Sequence, residues 1–567
     1  MAGQSRKWMI LVATIWIQAF TGTNFDFSAY SSEFKAVLGV SQVQLNYLAT
    51  ASDLGKALGW SSGLALMYLP LWMVMFLAAA MGLIGYGVQW LVITNIIALP
   101  YFVVFLLCLL AGCSICWFNT VCFVLCIKNF PCTRPLALAL TVSFNGVSAA
   151  LYNLAAKSLN PSSTSLYLLL NAFIPLFTSI AAVIPILRQP PVDPLPHDAV
   201  KHEQLTFLKL NLLAVITGLY LLFLHSSNIS TARFLFAGAI FLLILPLGIP
   251  GIIYARDWFK RTIYSSFQFE GSAFMLVNAD DLELHKELLS RENSVANGLI
   301  YTANNEDSIQ GMSRQNTGAS EGCSCDTIIG KDRLVMLGEE HKAKMLVSRI
   351  DFWLYYLAYF CGGTIGLVYS NNLGQIAQSL GQSPMTSRLI TMYSSFSFFG
   401  RLISATPDFI RKKFYFARTG WLVIALLPTP IAFFLLAATG TEMALQAGTA
   451  LIGLSSGFIF AAAVSITSEL FGPNSVGVNH NILITNIPVG SLVYGFLAAT
   501  FYDSKAESRP GFMTDSLVCM GRKCYFLTFV WWGCISILGL ASSLMLFLRT
   551  RLAYDRFERN RLSTVLV

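Results

Sequence analysis

Residues 97–126 read IALPYFVVFLLCLLAGCSICWFNTVCFVLC, thirty residues without a charged side chain. A helix needs about 20 mainly apolar residues to cross the hydrocarbon core of a bilayer. Helices and closed barrels are the structures that satisfy their own backbone there. Thirteen other stretches of this chain are long and apolar enough to be read in the same way. We therefore predict an all-α integral membrane protein with about fourteen transmembrane helices.

The predicted spans form two blocks on either side of a polar segment. They are 8–30, 43–67, 70–91, 97–126, 135–157, 166–187, 207–225, 233–255, 351–372, 386–404, 418–438, 443–470, 480–502 and 525–548. The sequence thus predicts a six-helix bundle at 8–187, two additional membrane helices at 207–255, a second six-helix bundle at 351–548 and a basic tail at 549–567. Two hydrophobic bundles joined by a polar linker are typical of transporters whose halves move against each other.

The segment 256–350 between the blocks is rich in Ser, Asn, Gly, Glu and Lys. Such a composition cannot bury enough apolar surface to fold by itself. We predict a disordered linker there.

The composition excludes an ordinary soluble protein. Of 567 residues, 55% are hydrophobic and 12% are charged, whereas about 25% are charged in a typical soluble domain. The net charge of +8 would suit nucleic acid, but the Lys and Arg residues cluster beside the hydrophobic spans. The positive-inside rule explains that placement more simply. We expect a lipid bilayer as the partner, no nucleic acid, and a monomer.

Counting Lys and Arg in the connections gives an orientation. One side receives Arg6, Lys7, Lys128, Arg134, the group around Arg256, the group Arg411–Lys413 and the basic tail. The other side receives fewer, and only the 503–524 loop runs against the trend. Both termini and the linker are therefore predicted to be cytoplasmic. The plasma membrane and an endomembrane both stay open.

The cysteines carry little information about chemistry. Cys113 and Cys116 have a C-x-x-C spacing, but with no second Cys or His pair nearby we interpret them as packing residues. Cys519 and Cys524 share the last predicted external loop, where a disulfide is one option. No HExxH, GxSxG or phosphate-loop pattern occurs in a usable context. We predict no enzyme activity, no cofactor and no metal.

Charges inside a membrane helix are costly and therefore candidates for function. Asp53 and Lys56 lie at i and i+3 in the second span, close enough to pair. Two interpretations stay open for this pair: a proton or substrate site, and a structural contact between helices. If the pair separates during a transport cycle, Asp53 can take up a proton in one state and release it in the other.

Several segments resemble a known family. They are Gly22–Tyr30 (GTNFDFSAY), Leu38–Gln42, Gln44–Leu48, Ala51–Lys56, Cys116–Thr120, and Asn129–Pro131 followed by Arg134. These segments are similar to the plant nodulin-like branch of the major facilitator superfamily. The resemblance implies the major facilitator fold with its two six-helix bundles, here with two extra helices between them.

In that fold the first and fourth helices of each half border a central cavity. The resemblance therefore makes Asn24 and Asp26 candidates on the first helix, although Asp26 can also simply reach external water. Trp117, Asn119 and Thr120 are candidates on the fourth, with helix packing as the alternative. In the second half, Tyr355, Tyr359 and Asn371 lie on the first helix. Glu469 and His480 lie near helix ends, either as a pH-sensitive gate or as solvated residues.

The family pattern also includes an acidic–basic latch after the second helix of each half. In the first half, Gly63 is followed by Leu64–Trp72 with neither Asp nor Arg. The second half keeps Arg401, Asp408 and Arg411. We interpret these three residues as a gating latch present in one half only.

The leading hypothesis is a secondary transporter of a small solute that works by alternating access and can be coupled to protons. The alternative is a non-transporting membrane receptor or organiser, for example one that acts in organelle or nuclear membrane fusion. The two differ in whether polar residues from both halves meet at a cavity in the middle of the membrane.

The predicted orientation is testable by proteolysis. In sealed, right-side-out vesicles, protease added outside should leave the segment between Tyr264 and Lys342 intact, because the Lys and Arg bias places it inside. Immunoblotting of the two halves measures this, with detergent-opened vesicles as the positive control. Cleavage of that segment from outside would reverse the topology.

Overall fold

The computed structural model describes residues 2–161, 163–187, 197–224, 229–266, 334, 336–411, 414–473, 475–505 and 519–565. Every regular element within these ranges is a helix. The first half contains α1a (Ala2–Thr21), α1b (Phe27–Leu38), α2a (Gln42–Ala57), α2b (Trp60–Tyr68), α3 (Leu71–Ile93), α4 (Tyr101–Asn129), α5a (Arg134–Gly146), α5b (Ser148–Leu159) and α6 (Leu166–Leu187).

Two further membrane helices separate the halves. They are α7 (His197–Phe223) and the bent helix α8a (Ile229–Ile244) and α8b (Gly248–Ser266). The second half contains α9a (Ile350–Tyr359), α9b (Ile365–Ser379), α10 (Thr386–Ile403), α11a (Arg418–Leu426), α11b (Pro428–Ala438), α12 (Glu442–Phe471), α13a (Val476–Ile484), α13b (Asn486–Asp503) and α14 (Phe526–Val565).

Eleven helices in the described part of the chain are long and apolar enough to cross a membrane. The predicted spans that correspond to α1, α2 and α10 are helical but are not among the eleven. α10 is polar, with six Ser or Thr residues before Phe398 and two Arg residues, whereas α2 is divided into helices of 16 and 9 residues. The count of about fourteen transmembrane helices stays a prediction.

The same helix pairs pack together in both halves. In the first half α2 packs on α4, α3 on α4 and α6, and α1 on α6; in the second half α10 packs on α12, α11 on α12 and α14, and α9 on α14. Between the halves, the second helix of the first bundle (α2a) contacts the fifth helix of the second bundle (α13b). The fifth helix of the first bundle (α5) likewise contacts the second helix of the second bundle (α10). This pattern is that of two six-helix bundles related by a pseudo-two-fold axis.

Glycines set the tightest contact in each half. A side chain at Gly55 would collide with the backbone of Leu109, and one at Gly112 with the carbonyl of Ser52, so α2a and α4 touch backbone to backbone. In the second half, Gly400 faces Leu454 and Gly457 faces Ser397 in the same way. Each residue of the second set lies 345 positions after its counterpart. Small residues give membrane helices this close approach where no hydrophobic driving force between helices exists.

Helices α7 and α8 lie at the side of the two bundles. The Lys7 ammonium pairs with the Glu203 carboxylate at 3.0 Å, and Thr133 donates to the same carboxylate, so α7 is fixed to α1a and to the start of α5a. The Trp16 indole N–H donates to the Leu243 carbonyl at 2.7 Å, which holds α8a against α1a. Both helices keep most of their length exposed, as expected of lipid-facing elements.

The ends of the predicted disordered linker are ordered, so that prediction is wrong there. Residues 256–266 continue α8b. At the other end, Gly338 and His341 donate backbone N–H groups to the carbonyls of Glu469 and Phe471 at 2.7 and 3.1 Å. The Glu340 carboxylate accepts from the Ser475 hydroxyl at 2.6 Å. The remaining linker residues, 267–333 and 335, lie outside the described residues.

The predicted basic tail also begins inside the fold. Residues 549–565 continue α14, and the buried Arg549 guanidinium pairs with Asp351 at 2.6 Å. In the loop that precedes α14, Cys519 and Cys524 form a disulfide. We name the end of the bundles that carries Ala2 and Val565 the terminus face, and the end that carries Gly39 and this disulfide the opposite face.

The glycine contacts predict a selective loss of stability. Gly112→Val or Gly457→Val should push α4 or α12 away from its partner, because the added atoms meet backbone rather than a flexible side chain. Overpacking of this kind costs about 1–3 kcal/mol or more. We expect a lower unfolding midpoint in detergent and less monodisperse protein.

Gly63→Val is the matched control, since nothing lies within 4 Å of a Cβ at Gly63. It should leave the unfolding midpoint nearly unchanged. Equal effects of all three substitutions would contradict the packing argument.

Candidate functional site

Several helices lose their regular form near the middle of the bundles. α1 is interrupted at Gly22–Asp26, α5 changes direction at Val147, and α9 contains a π-helical turn at Phe360–Thr364. Residue 147 is about 13 residues into its helix, roughly 20 Å from the terminus face at 1.5 Å per residue. Irregular backbone at this depth is tolerated where it lies inside the protein or lines a cavity.

A small cavity of about 20 Å³ lies within the first half, at its boundary with the second. Its polar lining includes Asn24, Asp53 and Gln89 from the first half and Asn371 from the second. A cavity of this size holds about one water molecule. The structure therefore places Asn24 and Asp53 of the first half and Asn371 of the second at one small cavity, and a role of these residues in a solute pathway stays a prediction.

Asp53 joins the two halves. Its carboxylate accepts from the Lys56 ammonium at 2.6 Å, and its second oxygen accepts from the Ser491 hydroxyl of α13b. Asp53 is 1% exposed and Lys56 is half-buried. Close by, the Asn46 amide donates to the Gly495 carbonyl at 3.0 Å. The predicted Asp53–Lys56 pair is present, and its contact with Ser491 was not foreseen.

Asp26 does not reach external water. It lies at the end of the α1 interruption, is fully buried, and accepts from the Asn171 amide at 3.1 Å. Its other carboxylate oxygen has no hydrogen-bond partner among the described residues. Tyr86, whose hydroxyl accepts from Thr23 at 2.7 Å, lies in the same region. Asp26 is thus held inside the first half.

The α4 candidates are engaged with helices of their own half. The Trp117 indole donates to the Ser61 hydroxyl at 3.0 Å, and the Thr120 hydroxyl lies 2.7 Å from that of Ser62. The Asn119 amide oxygen accepts from Gln18 at 2.9 Å. These contacts join α4 to α2b and α1a. They favour the helix-packing alternative for all three residues, and a role in a solute pathway stays a prediction.

Tyr355 and Tyr359 lie on α9a and are buried against α12. The Tyr355 hydroxyl donates to the Ala463 carbonyl at 2.9 Å, so it is used in packing. The Tyr359 ring lies 5.9 Å from that of Phe460. Of the two, Tyr359 is the one beside Arg401.

The three latch residues do not form one cluster. Asp408 accepts from Arg418 at 2.8 Å, and Arg418 also donates to Glu469 at 2.9 Å. Arg411 pairs with Glu558 at 2.6 Å, at the end of α14. Both contacts remain within the second half, at the terminus face. They border a cavity of about 230 Å³.

Arg401 lies apart from that network because it faces α5a. Its guanidinium donates to the Val142 carbonyl and to the Asn145 amide oxygen, both at 3.0 Å. The charge lies 5.3 Å from the ring centre of Phe25 and 5.6 Å from that of Phe460. Arg401 is 2% exposed. The interpretation of Arg401 as part of a latch with Asp408 is therefore wrong in its geometry.

The proposed gate pair of Glu469 and His480 is not in contact either. Glu469 is occupied by Arg418 and by the Tyr554 hydroxyl at 2.7 Å. No hydrogen bond joins it to His480 in the part of the chain that the structure describes. Within the same part, no group of three or more His, Cys, Asp or Glu side chains is arranged to hold a metal ion.

Solved structures share this fold. A peptide transporter POT aligns over 97% of this chain and 95% of its own with a TM-score of 0.53 and 11% identity. A proton dependent oligopeptide transporter aligns over 97% of this chain and all of its own with a TM-score of 0.50 and 10% identity. At this identity the likeness concerns the fold alone, which is the major facilitator fold.

Sequence relatives are more specific. Residues 7–251 match the nodulin-like family, and residues 335–556 match the NFD4 C-terminal domain. A Yarrowia lipolytica protein named Probable transporter MCH1 is 26% identical over 246 residues, which is 41% of this chain and 47% of that protein.

One relative covers nearly the full length. Protein NUCLEAR FUSION DEFECTIVE 4 of Arabidopsis thaliana is 60% identical over 566 residues, 99% of this chain and 92% of its own. The chain therefore belongs to the nodulin-like family, with the NFD4-type C-terminal domain.

Proposed function

We propose that this protein is a secondary transporter of a small solute that works by alternating access. The observation that carries the proposal is the mid-membrane cavity lined by Asn24, Asp53 and Gln89 from one half and Asn371 from the other. A receptor or organiser needs no polar lining from both halves at this depth. Solute sites in transporters lie near the bilayer midplane, at the interface of repeats.

The contacts between the halves support a rocking motion. Toward the opposite face, Ser28 donates to the Ser370 carbonyl at 2.6 Å, and Gln375 donates to Ser31 at 3.0 Å. Asn153 donates to Thr391 at 2.6 Å on the other side of the interface. These are single hydrogen bonds between side chains or to carbonyls, each worth about 0.5–1.5 kcal/mol net. They close the opposite face with bonds that can be exchanged for water when the halves part.

The relatives support the same function. The MCH1 proteins of yeasts carry the name of probable transporters. The structures with the same fold come from peptide transporters. Since no nucleotide-binding motif is present in the sequence, concentrative uptake would draw on an ion or proton gradient.

An uptake screen tests the proposal. The purified full-length chain, reconstituted into proteoliposomes, should accumulate at least one class of small solute above protein-free liposomes. Imposing an inside-alkaline and then an inside-acid pH gradient shows whether protons drive it. If no solute enters with either gradient, while the protein is folded and inserted in both orientations, the transport function is rejected in favour of the receptor alternative.

Asp53 is the residue best placed to couple protons to this motion. Its carboxylate binds Lys56 within α2a and Ser491 in the other half, so one of its two contacts depends on the halves being together. When α2a and α13b separate, the carboxylate loses the Ser491 hydroxyl. The contact of Asp53 with the other half is thus present in one state and absent in the other.

Asp53→Asn should abolish pH-driven uptake while exchange of solute without a gradient is partly retained. The single change leaves Lys56 without its counter-charge, which destabilises a buried pair by about 3–5 kcal/mol. The double variant Asp53→Asn, Lys56→Gln is therefore the matched control, since it removes both charges and should restore folded protein.

Uptake and counterflow are measured for both variants at equal amounts of reconstituted protein. If the double variant folds and still shows pH-driven uptake at the wild-type rate, Asp53 has no coupling role. If it folds and exchanges solute without responding to pH, the coupling role is supported.

A further inference from the structure

Arg401 is a buried cation that no carboxylate neutralises among the described residues. Both of its hydrogen bonds go to neutral acceptors, the Val142 carbonyl and the Asn145 side chain. The other buried Arg residues of the second half are paired: Arg549 with Asp351, and Arg418 with Asp408 and Glu469. A charge buried in a membrane protein without a counter-charge is costly and is retained where it has a task.

Unused hydrogen-bond donors lie on the two helices that Arg401 joins, α5 and α10. Arg401 Nε and Asn145 Nδ2 are buried and have no partner in the described part of the chain. Asn145 is 8% exposed, and its oxygen is the atom that accepts from Arg401, so its amide group points away from the cation. The Ser148 and Ser397 hydroxyls, one turn from Asn145 and Arg401 respectively, also lack partners. Buried donors without acceptors need an explanation, and an anion that binds beside a buried cation is one that would use several of these donors together.

The irregular segments of three helices meet at this cluster. A Cβ at Gly22, where α1 is interrupted, would lie 2.6 Å from the Asn145 carbonyl and 2.7 Å from Ser148. Phe25, from the same interruption, faces the guanidinium, and so does Phe460, which packs on Tyr359 beside the π-helical turn of α9. Broken helices at mid-depth mark binding sites in transporters, and π-helical turns are frequent at functional sites.

The equivalent position in the first half shows that the lack of a counter-ion is particular to Arg401. Lys56 follows Gly55 as Arg401 follows Gly400, and the two cations are separated by the same 345 positions as the glycine contacts. Lys56 has Asp53 three residues before it, whereas Arg401 has Phe398. In the first half, Asp53 of the same helix therefore neutralises Lys56. In the second half, Arg401 has only neutral acceptors among the described residues.

We propose that Arg401, together with Asn145, binds an anionic group of the transported solute, so that the substrate is a small organic anion that carries a carboxylate or phosphate. This inference rests on the proposed transport function and names its substrate class. In the closed state Arg401 bonds to α5a of the other half. When the halves begin to separate, the guanidinium loses Val142 and Asn145 as acceptors, and the anion takes their place: it accepts charge-assisted hydrogen bonds from Arg401 and a hydrogen bond from the Asn145 amide N–H.

Ligand-dependent stabilisation of the purified full-length chain tests this site. The probes are acetate, succinate and inorganic phosphate as anions, with glucose and glycine as solutes without net charge, each titrated at constant ionic strength. A bound ligand raises the unfolding midpoint in a concentration-dependent way. We expect at least one anion to stabilise the protein and the uncharged solutes not to, and the comparison of carboxylates with phosphate identifies the group.

Arg401→Gln should weaken the apparent affinity for that anion about tenfold or more, because a charged hydrogen-bond donor is lost. Arg388→Gln is the matched control: Arg388 lies on the same helix, is exposed near the opposite face, and should bind as the wild type does. Asn145→Asp covers the case in which Arg401→Gln does not fold. It places a carboxylate against Arg401, so the protein should fold and yet lose anion binding because its own side chain fills the site.

The inference is overturned if no anion stabilises the wild type, or if Asn145→Asp binds the anion with unchanged affinity. Its failure is distinct from that of the proposed function. Uptake of uncharged solutes alone would keep the transporter and remove the anion site. Anion binding without any uptake would keep the site and remove transport.

Discussion

The architecture depends on two backbone-to-backbone contacts, one in each half. Gly55 and Gly112 bring α2a against α4, and Gly400 and Gly457 bring α10 against α12. In lipid, helices gain little from hiding apolar side chains from each other, so close packing must supply the association energy. With a glycine fixed against its partner helix, the next residue is turned by about 100° around the axis. Lys56 and Arg401 are the residues in that position: Lys56 pairs with Asp53 of its own helix, and Arg401 faces α5a across the boundary between the halves.

The boundary itself is built differently from the interior of each half. Inside the halves, glycine contacts and aromatic packing fix the helices, and the terminus face of the second half adds the ion pairs of Arg418. Between the halves, short polar side chains such as Ser28, Asn46 and Asn153 reach carbonyls or hydroxyls, beside the buried contacts of Asp53 and Arg401 and the close approach of Gly146 to Phe398. Water can replace such partners at small cost. The interface is therefore the part of the molecule that can open without unfolding either bundle.

Much of the fold could be predicted from the sequence, because long apolar segments predict membrane helices without knowledge of tertiary contacts. Short motifs such as Gly22–Tyr30 also identified the family correctly. The pair of Asp53 and Lys56 was found since both lie on one helix, three residues apart. Its bond to Ser491 was not, because an isolated serine 438 positions away carries no signal in the sequence.

The error over the latch has a geometric cause. Arg401 was grouped with Asp408 by proximity along the chain, but three residues from the end of α10 it still faces α5a, while Asp408 lies beyond the helix end beside Arg418. The orientation of a side chain around a helix decides its partners, and the family pattern did not encode it. A signal existed in the repeat of Ser52–Lys56 (SDLGK) as Ser397–Arg401 (SFFGR). Comparison of the two segments would have shown the equivalent cations and the missing acid at Phe398.

The halves are thus symmetric in packing and asymmetric in charge: the cation of the first half is neutralised by its own helix, and that of the second half has only neutral acceptors, supplied by α5a. In the proposed transport cycle, opening the interface would remove those acceptors, so that the charge of Arg401 would be available in one state and occupied in the other.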